Sequence, residues 1–189
     1  ARAQGAGAVS VREPVTSRIA SAGGMGVLAL RDPVFLNDRI ATSTDGSTRI
    51  TFVDASELTI GPNSDVVIDR FVFSPAGIES AVVRIGVGAV RFVGGASRHD
   101  LTILGPTATV GVRGTAFDFY ADFFGGELLH VHRGLVGISV GGGPERLVQA
   151  GQFALVQDGE IVIGQVVGSI LPVMDRFGFP YPRGLAQRF

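Results

Sequence analysis

From Gly26 onward the chain is built of short runs in which every second residue is apolar, each run closed by turn residues. Successive side chains of a strand point to opposite faces, so Thr48, Ile50 and Phe52 are expected on one face and Arg49, Thr51 and Val53 on the other. Leu58 and Ile60 repeat the pattern after an Asp54-Ala55-Ser56 turn. Further strands are predicted around Val66 to Phe73, Val82 to Val93, Leu101 to Leu104, Ala116 to Ala121, Leu128 to His132 and Leu135 to Val140. Arg146 to Val148, Phe153 to Val156 and Glu160 to Ile163 complete the set. Breaks fall near Asp45-Gly46, Gly61-Pro62-Asn63, Gly94-Gly95, Gly125-Gly126, Gly141-Gly142-Gly143 and Asp158-Gly159. This spacing predicts an all-β domain, solenoid-like or sandwich-like, and does not choose between the two.

Outside residues 25–164 the pattern changes. Residues 1–24 are rich in Ala, Gly and Ser without a sustained period and read as an arm. In the tail, 165–189, Val166, Ile170, Val173, Met174 and Phe177 recur at helical spacing, although Gly168 and Pro172 argue against a long helix. So apolar a tail must be covered. The preferred reading is a cap on its own β domain; the alternative is an interface for a partner or a second copy through Ile170, Val173, Met174, Phe177, Phe179 and Tyr181.

Composition narrows the chemistry. With 46% hydrophobic and 17% charged residues the chain is expected to fold. Its 16 basic residues are all arginine, interspersed with 17 acidic ones and without a run of one sign, which disfavours nucleic acid as a partner. The absence of lysine excludes a Schiff-base or Walker lysine, and that of cysteine excludes thiol catalysis, thiolate metal sites and disulfides. No run approaches the roughly 18–20 apolar residues of a spanning helix, so none is expected to cross a membrane. Ala1-Arg2-Ala3 reads as the small-x-small end of a secretory signal peptide and points to export.

Three blocks stand out in order. Phe35-Leu36-Asn37-Asp38-Arg39-Ile40-Ala41-Thr42 leads into Asp45-Gly46-Ser47. Phe52 to Ser64 follows, with Asp54-Ala55-Ser56 and Gly61-Pro62-Asn63-Ser64 as its turns. The most specific is Pro106-Thr107-Ala108-Thr109-Val110-Gly111-Val112-Arg113-Gly114-Thr115-Ala116-Phe117. Together these resemble the FecR domain, with Ala55 standing where the family's turn usually has glycine.

The resemblance implies a periplasmic domain that holds a protein partner or assembles with itself, with no cofactor. As an alternative it implies the sensing part of an anti-sigma regulator in cell-surface signalling. A complete regulator would require the chain to be a fragment, because a sigma-binding helical segment and a membrane span are not found ahead of the β domain. In FecR-like anti-sigma regulators it further implies self-cleavage at a Gly-Thr step, here Gly114-Thr115. Residue chemistry favours scaffold roles: Asp38 and Asp54 as turn carboxylates, Gly111 and Gly114 for torsions or close approaches, Arg113 as a donor fork, and Phe117 within the motif.

His130 and His132, two apart on a predicted strand, share a face and could meet Asp118 or Asp122 at a metal; packing is the preferred reading, and no metal is assigned. No Gly-x-Ser-x-Gly elbow, His-Glu-x-x-His or dinucleotide loop occurs, so the chain is not expected to be an enzyme.

Overall fold

The computed structural model describes residues 5–13, 16–19, 26–44, 46–52, 54–74, 77–95, 100–112 and 115–176. Strands run in the order β1 (Gly5–Glu13), β2 (Thr16–Ile19), β3 (Gly26–Val27), β4 (Pro33–Phe35), β5 (Arg39–Thr42) and β6 (Ser47–Phe52). Next come β7 (Glu57–Ile60), β8 (Asp65–Ser74), β9 (Gly77–Val93), β10 (Asp100–Leu104), β11 (Ala108–Val112) and β12 (Ala116–Ala121). The chain continues through β13 (Glu127–Arg133), β14 (Leu135–Val140), β15 (Arg146–Gln149), β16 (Gln152–Gln157) and β17 (Glu160–Gln165) to a short helix, α1 (Leu171–Arg176). None of the described helical residues forms a segment long and apolar enough to cross a membrane.

The strands form two sheets packed face to face. One is ordered β4-β1-β6-β7-β9-β12-β13-β16-β17. The other is ordered β3-β2-β5-β8-β9-β10-β11-β14-β15. The 17-residue strand β9 belongs to both: Ser80 to Arg84 lie alongside β10, and Val90 to Val93 pair with β7 and β12. Hydrogen bonding is therefore continuous through all 17 strands of the described residues. Two facing sheets joined by one crossing strand make the architecture sandwich-like, while the hairpins alternate between sheets as the chain proceeds.

Local chemistry explains the crossing. Gly88, with φ 111°, leaves room where a Cβ would overlap Ser64. Buried Ser64 occupies that room: its hydroxyl accepts from the Ala89 N–H at 3.0 Å and donates to the Pro62 carbonyl at 3.1 Å. The Thr42 hydroxyl donates to the Gly61 carbonyl at 2.5 Å and accepts from the Ser64 N–H at 2.9 Å, so the Gly61-to-Ser64 turn is pinned where β9 changes sheets.

One core fills the space between the sheets. Ile50, Leu58, Phe92, Phe117 and Leu129 come from one side, and Ile40, Ile68, Val83, Ile103 and Ile138 from the other. Phe92 and Phe117 meet with ring centroids 5.8 Å apart.

Residues 5–13 and 16–19, expected as part of an arm, are instead strands: β1 pairs with β4 and β6, and β2 with β3 and β5. Backbone pairing between neighbouring strands needs no apolar periodicity, which is why small residues concealed them.

Candidate functional site

The motif residues separate into turn-holders, core and one buried hydroxyl. Asp38 is buried; its carboxylate accepts from the Phe35 N–H at 2.9 Å and its carbonyl from the Ile68 N–H at 3.0 Å, fixing the 35–38 turn. One oxygen of Asp54 accepts from the Ser56 N–H at 3.0 Å and hydroxyl at 2.6 Å. Gly111 is exposed in β11 with open space where a Cβ would stand, so no close approach demands glycine there. Phe117 is core. Thr115 is buried, and its hydroxyl has no hydrogen-bond partner among the described residues. Arg113 and Gly114 lie outside the described residues.

Glu127 was not anticipated. It is buried at the start of β13 and accepts from the Ala108 N–H at 2.9 Å and from the Thr107 hydroxyl, tying the Gly105-Pro106-Thr107 turn to the neighbouring sheet. A Cβ at Gly105 would strike this carboxylate and Phe119. Burial pushes the Glu127 carboxyl above its usual range, against the lowering effect of the Thr107 and Ala108 donors.

A cluster of polar side chains lies on the outer face of the first sheet, opposite the core. Phe117, Phe119, Leu129 and Val131 point inward, so Asp118, Tyr120, His130 and His132 point outward. Register then aligns Arg91 on β9 with Asp118 on β12, and Asp118 with His130 on β13. Between Ala116/Arg133 and Phe117/Val131 the pairing shifts by one residue, which makes a bulge at His132.

Arg91 clasps Asp118 with both arms of its fork, Nε to Oδ1 at 2.5 Å and a terminal nitrogen to Oδ2 at 2.7 Å. His132 Nε2 lies 2.7 Å from Oδ2 and 3.1 Å from the same Arg91 nitrogen. The His130 and His132 rings lie 4.3 Å apart, centroid to centroid, and the Tyr120 hydroxyl is 3.4 Å from Oδ2. One ligating atom each from Asp118, His130 and His132 falls within 4.8 Å of the others. Asp122, the other carboxylate weighed, is turned into the hairpin loop, where it accepts from the N–H groups of Phe124 and Gly126, each at 2.8 Å.

Electrostatics follow from that packing. Burial pushes the Asp118 carboxyl up, but the hydrogen bonds from Arg91 and His132 outweigh it and hold the group below the ordinary range. Burial, then the charge of Asp118, raises the Tyr120 phenol far above its usual value. Burial and the adjacent His132 lower His130 to about 4.

Beside this polar row the same face is apolar and covered. Ala89, Tyr120, Leu128, Phe153 and Leu155 pack with Met174, and Val166, Ile170, Leu171 and Val173 lie partly buried against them. Ile170, Val173 and Met174 are thus engaged with their own sheet, whereas Phe177, Phe179 and Tyr181 lie outside the described residues. Ser169 caps α1 by accepting from the Leu171 N–H at 3.2 Å.

The model of the FecR protein family matches residues 38–137, just over half of the chain. The chain belongs to the FecR family. Its matched segment runs from the Asp38 turn into β14 and contains Arg91, Thr115, Asp118, Tyr120, His130 and His132; the covering segment from Val166 to α1 lies beyond it.

Two solved structures of a candidate anti-sigma factor from Parabacteroides distasonis share the fold. One is 15% identical with a TM-score of 0.58, over 71% of this chain and 62% of that one. The other is 14% identical with a TM-score of 0.60, over 72% and 63%. This FecR chain therefore spans less than two thirds of those proteins. Among curated proteins, none matches it in sequence.

Proposed function

We propose that this FecR domain is the exported sensing part of a cell-surface signalling regulator, acting in the periplasm by binding a protein partner rather than by turning over a substrate. The observation that carries this reading is the family match across the centre of both sheets. The fold likeness to a candidate anti-sigma factor agrees with it. These findings fit a regulator better than a stand-alone scaffold or self-assembling module. The test is deletion of this domain from the encoded protein in its host, with transcripts measured. A coordinated change in one sigma-dependent gene set is expected, and an unchanged transcriptome would overturn the reading.

A second reading, self-processing between Gly114 and Thr115, is favoured by the buried Thr115 hydroxyl with no hydrogen-bond partner among the described residues. In such a step Oγ1 attacks the Gly114 carbonyl and the C–N bond breaks, leaving an ester and a free amine on Thr115. Water then cleaves the ester to a Gly114 carboxylate. Intact mass spectrometry decides this: two fragments whose masses sum to the chain plus one water support it, and one unbroken mass rejects it.

A further inference from the structure

A His-x-His pair on one strand with a carboxylate directly across the next strand places three donors on one face without any loop to order. Here His130 and His132 supply the pair, and Asp118 stands opposite His130 in the hairpin register. Bonds of about 2.0–2.2 Å would put neighbouring donors roughly 3.3 Å apart around one tetrahedral ion. The three ligating atoms already lie within 4.8 Å of one another, a gap that modest side-chain rotation closes.

His132 crowds against the Arg91–Asp118 pair. Its Nε2 faces an acceptor, Asp118 Oδ2 at 2.7 Å, and a donor, the Arg91 nitrogen at 3.1 Å. A protonated Nε2 and the Arg91 nitrogen both donate to Oδ2 and crowd 3.1 Å apart on that one oxygen, whereas a bare Nε2 turns its lone pair on the carboxylate. An ion shared by Nε2 and Oδ2 uses both lone pairs at once. His130 carries a second open valence: its buried Nδ1 has no hydrogen-bond partner among the described residues.

We propose that Asp118, His130 and His132 form a metal site on the outer face of the first sheet. It takes one divalent transition ion of the Zn2+ class and clips β12 to β13. Two imidazoles and one carboxylate suit that ion better than Mg2+ or Ca2+, which prefer all-oxygen shells. Arg91 is a positioning residue: its Nε holds Oδ1, as the outer partner of a ligating carboxylate does, while its terminal nitrogen, 2.7 Å from Oδ2, has to give way to the ion. Its charge opposes the ion, and its terminal nitrogen moves off Oδ2 when the ion binds. The fourth position is left to water.

The test uses the full chain, free of any affinity tag and stripped with chelator, titrated with ZnCl2 by calorimetry and with Co2+ by visible absorption. One ion per chain and the intense d–d bands of four-coordinate Co2+ are expected. H130A and H132A should abolish the bands, and D118N should weaken binding by at least the roughly 10–100-fold that loss of an outer partner of a ligand costs, with circular dichroism matching wild type in each. Wild-type protein that binds no ion overturns the proposal without reference to any variant, as does binding that survives both histidine substitutions.

Discussion

Replacing Ala55 by glycine should stabilise the protein, an unusual direction for a single substitution. Ala55 adopts φ 63° in the Phe52-to-Ser56 turn, whereas the other non-glycine residues of positive φ among the described residues are Arg31, Asn37, Asn63 and Asp158, three of them with short polar side chains that tolerate this region. The turn cannot relax around the alanine. Phe52 N–H donates to the Ser56 carbonyl at 2.9 Å, Ala55 N–H to the Phe52 carbonyl at 3.1 Å, and Ser56 is held by Asp54. Gly95 closes from outside, where a Cβ would overlap the Asp54 carbonyl. A left-handed alanine costs about 1–2 kcal/mol. Glycine removes that cost but adds about 0.4–1 kcal/mol of chain entropy to the unfolded state. Ala55 is exposed, so no packing is lost, and the balance is a gain of about 0.5–1 kcal/mol. In a domain of this size that is roughly 1–4 °C in Tm. Urea unfolding should show a higher midpoint at unchanged slope. Ala154→Gly serves as the control: it lies buried in extended β16, where the same substitution should destabilise. A midpoint for A55G at or below wild type would show that the left-handed alanine carries no cost for glycine to relieve.

Three further outcomes are expected. Met174→Ala, which opens the apolar cover over Tyr120, Leu128 and Leu155, should cost roughly 2–3 kcal/mol and lower Tm by about 5–10 °C in a thermal melt. Gly134→Ala, at φ 87° and with its new methyl against Thr115 Cγ2, should destabilise by about 2 kcal/mol or more; adding Thr115→Ser, which removes that methyl, should recover part of the loss in a double-mutant cycle. Glu127 is pushed above its usual range, so its contribution to stability is fully present below its unfolded pKa and falls away as pH rises through the folded one. Urea midpoints of wild type relative to Glu127→Gln should therefore shift in favour of wild type as pH is lowered from 7 towards 4.5, and a difference independent of pH would refute the burial argument.

What the sequence disclosed and what it withheld have separate physical causes. Thr48, Ile50 and Phe52 were legible because one face of β6 is core and the other is not, so alternation in the sequence is alternation in burial. In β12 the same logic fails: from Phe117 to Ala121 every residue is buried, since the tail and the polar row cover the outer face. The reach of β9 was concealed too, because pairing to two sheets leaves no mark on residue type beyond the glycines at the bend, Gly86 and Gly88. Gly88 becomes interpretable only once Ser64 is known to fill its missing Cβ.

The polar site divides along the same line. His130 and His132 share a strand, and period two alone puts them on one face. Asp118 was within reach of a further step: folding the chain about the Gly125-Gly126 turn so that Ala121 meets Glu127 brings Asp118 opposite His130, three residues further along each strand. Arg91 was not within reach. It stands 27 residues before Asp118, and its place depends on β9 having crossed from the other sheet to run beside β12, a register fixed by Ser64, Gly88 and the core rather than by any turn joining the two strands. Hairpin partners are written in loop lengths, but partners across non-consecutive strands are written in packing. A functional cluster that needs both kinds, as Arg91, Asp118 and the two histidines do, therefore emerges from sequence only in part, and the missing part is the positioning arginine that decides how the carboxylate faces its neighbours.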